Sequence, residues 1–105
     1  MVRQIDVLEL SRMLAAGERC ELLDVRTPGE RAVAAIEAAV PLDDEVLARV
    51  AELPRDTPLV FLCHHGMRSQ QAAMHFAAAG FSTVMNVEGG IDAWSRLVDP
   101  AVPRY

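Results

Sequence analysis

Short apolar runs alternate with capped helical stretches along this chain, joined by brief connections. That alternation is the strongest constraint on the fold, because strands separated by helices pair as βαβ units in a mostly parallel sheet. Asp6-Val7-Leu8-Glu9 reads as a capping box opening a helix that stops at Gly17. Glu21 to Arg26 is a short apolar strand. Thr27-Pro28-Gly29-Glu30 follows, with a cap residue, proline at the first helical position and glutamate at the third, so a short helix runs to about Ala35. Asp43 and Asp44 favour a further helix start, and Glu45 to Glu52 is amphipathic through Val46, Leu47 and Val50, with Pro54 closing it.

Pro58 to Cys63 is the most apolar segment and predicts a strand buried on both faces. Ser69 to Ala79 reads as a helix ended by Gly80, with Ala73, Phe76 and Ala77 on one face. Phe81 to Val87 is another strand. Gly89-Gly90 turns the chain into a final helix, Ile91 to Leu97, which Asp99-Pro100 ends. The class is therefore α/β. At 105 residues the chain holds one domain, 1–105, with 99–105 as a C-terminal tail. Parallel sheets place ligands at the carboxyl ends of their strands. Three loops are expected to gather there: Asp24 to Glu30, Cys63 to Ser69, and Glu88 to Asp92.

Composition removes several functions. Hydrophobic residues make up 51 % and charged residues 24 %, as in a folded globule. No apolar run approaches the ~20 residues of a membrane helix, so no membrane is expected as a partner. The N-terminus lacks the apolar stretch of an export signal, and a cytoplasmic location is the expectation. All ten basic residues are arginine, which excludes lysine-based Schiff-base or general-base chemistry. The net charge of −5 argues against nucleic acid as a partner. Cys20 and Cys63 lie 43 positions apart, and a reducing compartment makes a disulfide between them improbable. Cys63-His64-His65 is the only metal-ligand cluster. Adjacent ligands rarely all face one ion, so no metal site is expected.

Cys63 is the candidate nucleophile, because it ends the most buried strand just before a helix. The helix N-terminus offers roughly half a positive charge and unpaired N–H groups, both of which favour thiolate over thiol. Gly66 permits a tight turn that brings the amides inward as an anion nest. Arg68 adds a permanent cation. Ser69 is a natural cap and a hydrogen-bond donor to the thiolate. From Thr57 to Val87 the only formally charged residue is Arg68, and all 15 acids lie outside that span. The pattern suits a thiolate attacking an anion, unless folding brings Asp24 or Glu88 near. A cysteine in an apolar strand is otherwise an inert core residue, which is the expectation for Cys20. His64 and His65 either tune the loop or lie exposed. His75 is a surface or interface residue, Trp94, Met74 and Met85 belong to the core, and Met67 lines a pocket mouth.

Three motifs resemble those of single-domain rhodaneses, in that family's order and spacing. Cys63-His64-His65-Gly66-Met67-Arg68-Ser69 resembles the active-site loop. Leu22-Leu23-Asp24-Val25-Arg26-Thr27-Pro28-Gly29-Glu30 resembles the second-strand signature. Val87-Glu88-Gly89-Gly90-Ile91-Asp92-Ala93-Trp94 resembles the last strand and helix. The resemblance implies a parallel sheet flanked by helices on both faces, and sulfane-sulfur transfer through a persulfide on Cys63 without a cofactor. It implies that the amides of His64, His65, Gly66, Met67, Arg68 and Ser69, with the Arg68 side chain, cradle the persulfide and a small anionic sulfur donor. The acceptor would be a thiol, cyanide or a protein. Asp24 and Arg26 would brace the strand ends beneath the loop. Ala34 to Pro41 departs from the family pattern, being shorter and without glycine or histidine.

Two other functions compete. A cysteine phosphatase or arsenate reductase would use a longer loop. Here four residues separate Cys63 from Arg68, and no aspartate general acid is evident. A persulfide carrier or regulatory binding module would keep the same loop and serve a protein partner. The tail, Asp99 to Tyr105, either packs over the sheet or docks that partner.

Overall fold

The computed structural model describes residues 1–105. Ten elements alternate along it. In order they are β1 (Val2–Ile5), α1 (Val7–Ala15), β2 (Glu21–Asp24), α2 (Pro28–Val33), β3 (Val40–Pro41), α3 (Asp44–Ala51), β4 (Leu59–Leu62), α4 (Met67–Ala78), β5 (Val84–Val87) and α5 (Gly90–Leu97). The strands form one sheet in the order β1-β5-β4-β2-β3. Every neighbouring pair is parallel.

The sheet is covered on both faces, and β4 at its centre shows why. Its four residues, Leu59 to Leu62, are fully buried. Successive side chains of a strand point to opposite faces. Val60 and Leu62 join Leu10 and Met13 of α1 and Ile91 and Trp94 of α5 in one cluster. Leu59 and Phe61 join Val50 of α3 and Ala73 and Phe76 of α4 in the other. A continuous apolar run with no polar alternation is what a strand covered twice requires.

The caps follow the sequence closely. Asp6 accepts from the Glu9 backbone N–H at 2.8 Å, but the reciprocal half of the box is missing because the Glu9 carboxylate pairs with Arg3 instead. At α2 the box is complete: Thr27 and Glu30 each cap the other. No residue of α2 is buried, so this box, rather than packing, defines the helix. The helix ends at Val33, short of Ala35. Ala34 turns extended (φ −153°, ψ 139°) and drops into the core with Ile36. The departing segment therefore still reaches the sheet, where Val40 pairs with Leu23.

Two strands escape the sequence pattern. β1 carries exposed Arg3 and Gln4 at its middle positions, and β3 is two residues long. Neither offers an apolar run. β5 begins at Val84, not Phe81, because Phe81 packs edge-on against Phe76 of α4. Met74 belongs to the surface, 56 % exposed, because it lies on the outer side of α4 beside buried Ala73. Trp94 and Met85 are buried. No helix is long and apolar enough to cross a membrane.

Candidate active site

The chain leaves β4 at Cys63 and enters α4 at Met67. Gly66 makes this possible, with a left-handed backbone (φ 101°) at the helix N-cap position. A Cβ there would lie 3.1 Å from the Val87 carbonyl oxygen. The helix thus starts two residues before Ser69, and Ser69 is not the cap. It sits inside the first turn, completely buried, with its hydroxyl turned back to the cysteine.

Cys63 Sγ accepts from the Gly66 N–H at 3.1 Å, the Ser69 N–H at 3.4 Å and the Ser69 hydroxyl at 3.2 Å. Burial pushes the thiol up. Hydrogen bonds from the Ser69 hydroxyl and from the Ser69, Gly66 and His65 amides outweigh it, leaving the pKa below the ordinary thiol value. Cys20 goes the other way: burial raises it, and Glu18 and Glu21 add to the rise.

The third loop grips the first. The Ile91 N–H donates to the Cys63 carbonyl at 2.9 Å, and the Asp92 N–H to the His64 carbonyl at 3.1 Å. Gly90 (φ 57°) stands where a Cβ would overlap both carbonyl oxygens. Asn86 of β5 holds the loop from below. Its Nδ2 donates to the Gly66 carbonyl at 3.1 Å and to Gln4 at 2.9 Å, and its Oδ1 accepts from the Ser69 hydroxyl at 2.5 Å. A cavity of about 390 Å³ opens above, lined by Cys63, His64, His65, Met67, Arg68 and Gln71. Met67 lies 80 % exposed at its rim.

Arg68 is not the unopposed cation that its sequence neighbourhood suggests. Glu30 of α2 reaches it from 38 positions away, with contacts of 2.6 and 2.9 Å to both carboxylate oxygens. Asp24 and Glu88 are the acids that the sequence marks as able to come near, but Glu30 takes the cation. Asp24 instead binds Arg26, and neither makes a side-chain hydrogen bond to the Cys63 loop. They connect to it through the tail. Arg26 donates to the Tyr105 hydroxyl at 3.0 Å, which donates to Glu30 at 2.8 Å. The Tyr105 ring stacks on His64, centroids 3.9 Å apart and 8° from parallel.

His64 and His65 also stack on each other, at 3.9 Å. Nε2 of His64 is buried without a hydrogen-bond partner. Asp92 brings its carboxylate into this group, with ligating atoms of all three residues within 4.8 Å. Arg96 and Arg104 already occupy that carboxylate at 3.2 Å each, which makes it a poor ligand for a cation. Asn86, Glu30 and Tyr105 are the site neighbours that sequence reading misses. Glu30 alone carries a sequence signal: it ends the Asp24 to Glu30 loop expected to gather here and closes the capping motif, though neither pairs it with Arg68.

Fold and site together define a parallel α/β domain whose central strand delivers a cysteine to two backbone amides and a serine hydroxyl at a helix N-terminus. The rhodanese-like domain model matches residues 6–97, and the chain belongs to that family. The relatives it matches include sulfurtransferases. A sulfurtransferase of Allochromatium vinosum is 40 % identical over 103 residues, covering 97 % of this chain and 96 % of that protein. The thiosulfate sulfurtransferase GlpE of Pseudomonas aeruginosa is 39 % identical over 82 residues, covering 77 % and 74 %. A rhodanese-like domain protein from Staphylococcus aureus superposes with a TM-score of 0.76 at 27 % identity, covering 98 % of each chain.

Proposed function

We propose that this protein moves a sulfane sulfur from thiosulfate or a related small anionic donor to a thiophilic acceptor through a persulfide on Cys63. The observation that carries this reading is the set of three hydrogen bonds converging on Cys63 Sγ at the base of an open cavity. They favour a thiolate, which attacks without an external general base. In the first step the thiolate sulfur bonds to the outer sulfur of thiosulfate. The S–S bond breaks and sulfite leaves with its electron pair. In the second, an acceptor thiolate or cyanide takes the outer sulfur and Cys63 returns to thiolate. The Gly66 and Ser69 amides stay directed at the sulfur's negative charge throughout, as an oxyanion-type cradle. A protein thiol is an equally suitable acceptor, since the exposed Met67 at the rim leaves the cavity open to a large partner.

The test is an intact mass after incubation with thiosulfate and, separately, with glutathione persulfide. The expected result is a gain of one sulfur atom, lost on adding cyanide and absent in Cys63→Ser. No gain from either donor, or turnover of p-nitrophenyl phosphate instead, overturns the reading.

A further inference from the structure

Arg68 has a carboxylate partner before any donor arrives. Its two terminal nitrogens meet the two oxygens of Glu30, the fork geometry that makes the strongest carboxylate pairs. Arg68 is the more exposed member, with its side chain 48 % exposed against 20 % for Glu30. The Glu30 carboxylate keeps the guanidinium protonated, and the nearby Cys63 adds to this more weakly.

Glu30 is tied down from three sides. Its Oε1 accepts from the Thr27 N–H and hydroxyl, and its Oε2 accepts from Tyr105. Tyr105 is held in turn by Arg26 and by its stack on His64. The tail is anchored behind it, with Val102 against the apolar core and Arg104 on Asp92. The rim therefore carries a fixed negative charge that balances its only nearby cation on the loop. Were Arg68 to swing toward a donor, the carboxylate would stay behind, still held by Thr27 and Tyr105.

This arrangement treats two classes of sulfur donor differently. Thiosulfate spreads two negative charges over the sulfur being transferred and the oxygens two bonds from it. It meets a carboxylate and a neutralised guanidinium. The persulfide of a larger thiol keeps its carboxylates several bonds away and needs no cation beside the reacting sulfur. We propose that Glu30, fixed in place by Tyr105, is a specificity-determining residue that favours organic persulfides over thiosulfate among the donors this site accepts. The inference rests on the sulfur-transfer reading above and names the donor class for that site. With such a donor the Cys63 thiolate bonds to the outer sulfur, the S–S bond breaks, and the donor leaves as its thiolate. No oxidant or reductant is consumed.

The test compares kcat/KM for thiosulfate and for glutathione persulfide in the full chain. Glu30→Gln keeps the oxygen that α2 needs for its capping box and removes the charge. It is expected to raise the thiosulfate-to-persulfide ratio about tenfold, the scale of one charge-assisted contact regained. Tyr105→Phe keeps the ring on His64 and removes one of the three bonds that fix Glu30, so it moves the ratio the same way by less. In Glu30→Gln/Arg68→Ala the gain disappears. An unchanged ratio in Glu30→Gln, or a gain that survives loss of Arg68, overturns the inference while leaving sulfur transfer intact. Uptake of sulfur from neither donor by the wild type overturns the sulfur-transfer reading and this inference with it.

Discussion

The guanidinium of Arg26 is clamped on the carboxylate of Asp24, two residues earlier, by three hydrogen bonds of 2.7 to 3.2 Å. Both side chains are shut off from water, at 0 % and 2 % exposure. A buried pair of this kind is costly to break, because removing one partner strands the other charge in a poor solvent. Asp24→Asn is therefore expected to destabilise the fold by about 3–5 kcal/mol. Urea unfolding at pH 7 reads this directly. A loss below about 1 kcal/mol, the scale of an exposed pair, would mean that water reaches Arg26.

Two glycines separate backbone need from composition. Gly90 combines a left-handed φ with a Cβ position occupied by the carbonyls of Cys63 and His64. Gly90→Ala is expected to cost about 2 kcal/mol or more and to shift the Cys63 loop. Gly29 has ordinary φ, and the nearest atom to its Cβ position is Thr27 Oγ1 at 4.0 Å. Gly29→Ala, early in α2, is expected to be neutral or stabilising by up to about 1 kcal/mol. Thermal unfolding of the two variants side by side checks both, and similar losses would remove the steric argument.

The same contrast explains what the sequence reveals of this molecule. The order of elements and the three convergent loops are legible because caps and apolar runs act over a few residues. Cys63 is legible for that reason: strand, glycine and helix start all lie within its own segment. β1 is hidden because its pairing with β5, Val2 to Val84 through Ile5 to Val87, stabilises a strand with two exposed polar residues. Asn86 reads as one more strand residue until Ser69 and Gly66 are brought to it. The charge map around Arg68 fails for the same reason. Sequence distance hides the pairing even though the Asp24 to Glu30 loop is expected to gather there, because only the folded helix turns the Glu30 carboxylate onto Arg68.

The Glu30–Arg68 pair makes stability depend on pH in a defined direction. Arg68, more than any other neighbour, holds the Glu30 carboxyl well below the usual carboxylate range. A folded pKa below the unfolded one means that the folded state holds the proton less tightly. The stabilisation is then fully present above the unfolded pKa and is lost as pH falls through the depressed folded value. The pair is partly exposed, so its worth is about 0.5–1 kcal/mol. Glu30→Gln is expected to be less stable than wild type by that amount at pH 7. The difference shrinks as unfolding is measured at successively lower pH, below about 4. A constant difference across the range would show that the charge of Glu30 contributes nothing.

The Ser69 hydroxyl has one hydrogen and two neighbours that want it, Cys63 Sγ at 3.2 Å and Asn86 Oδ1 at 2.5 Å. Asn86 is oriented by its own donation to the Gly66 carbonyl, so Oδ1 faces the hydroxyl. When Cys63 is a thiol, its S–H can donate to Ser69, and Ser69 donates to Asn86. When Cys63 is a thiolate, the Ser69 hydrogen turns to the sulfur. The serine thus favours the charged form only by giving up its bond to Asn86. Ser69→Ala removes the largest of the influences that lower the Cys63 pKa and leaves burial, which raises it, in place. The expected outcome is that the midpoint of Cys63 alkylation by iodoacetamide moves to higher pH, with a slower rate at neutral pH. Cys63 should also be alkylated at lower pH than Cys20, whose thiol is pushed up. Peptide mass mapping across a pH series resolves the two cysteines. If Ser69→Ala leaves the Cys63 midpoint where it was, the backbone amides alone hold the thiolate and the hydroxyl serves Asn86.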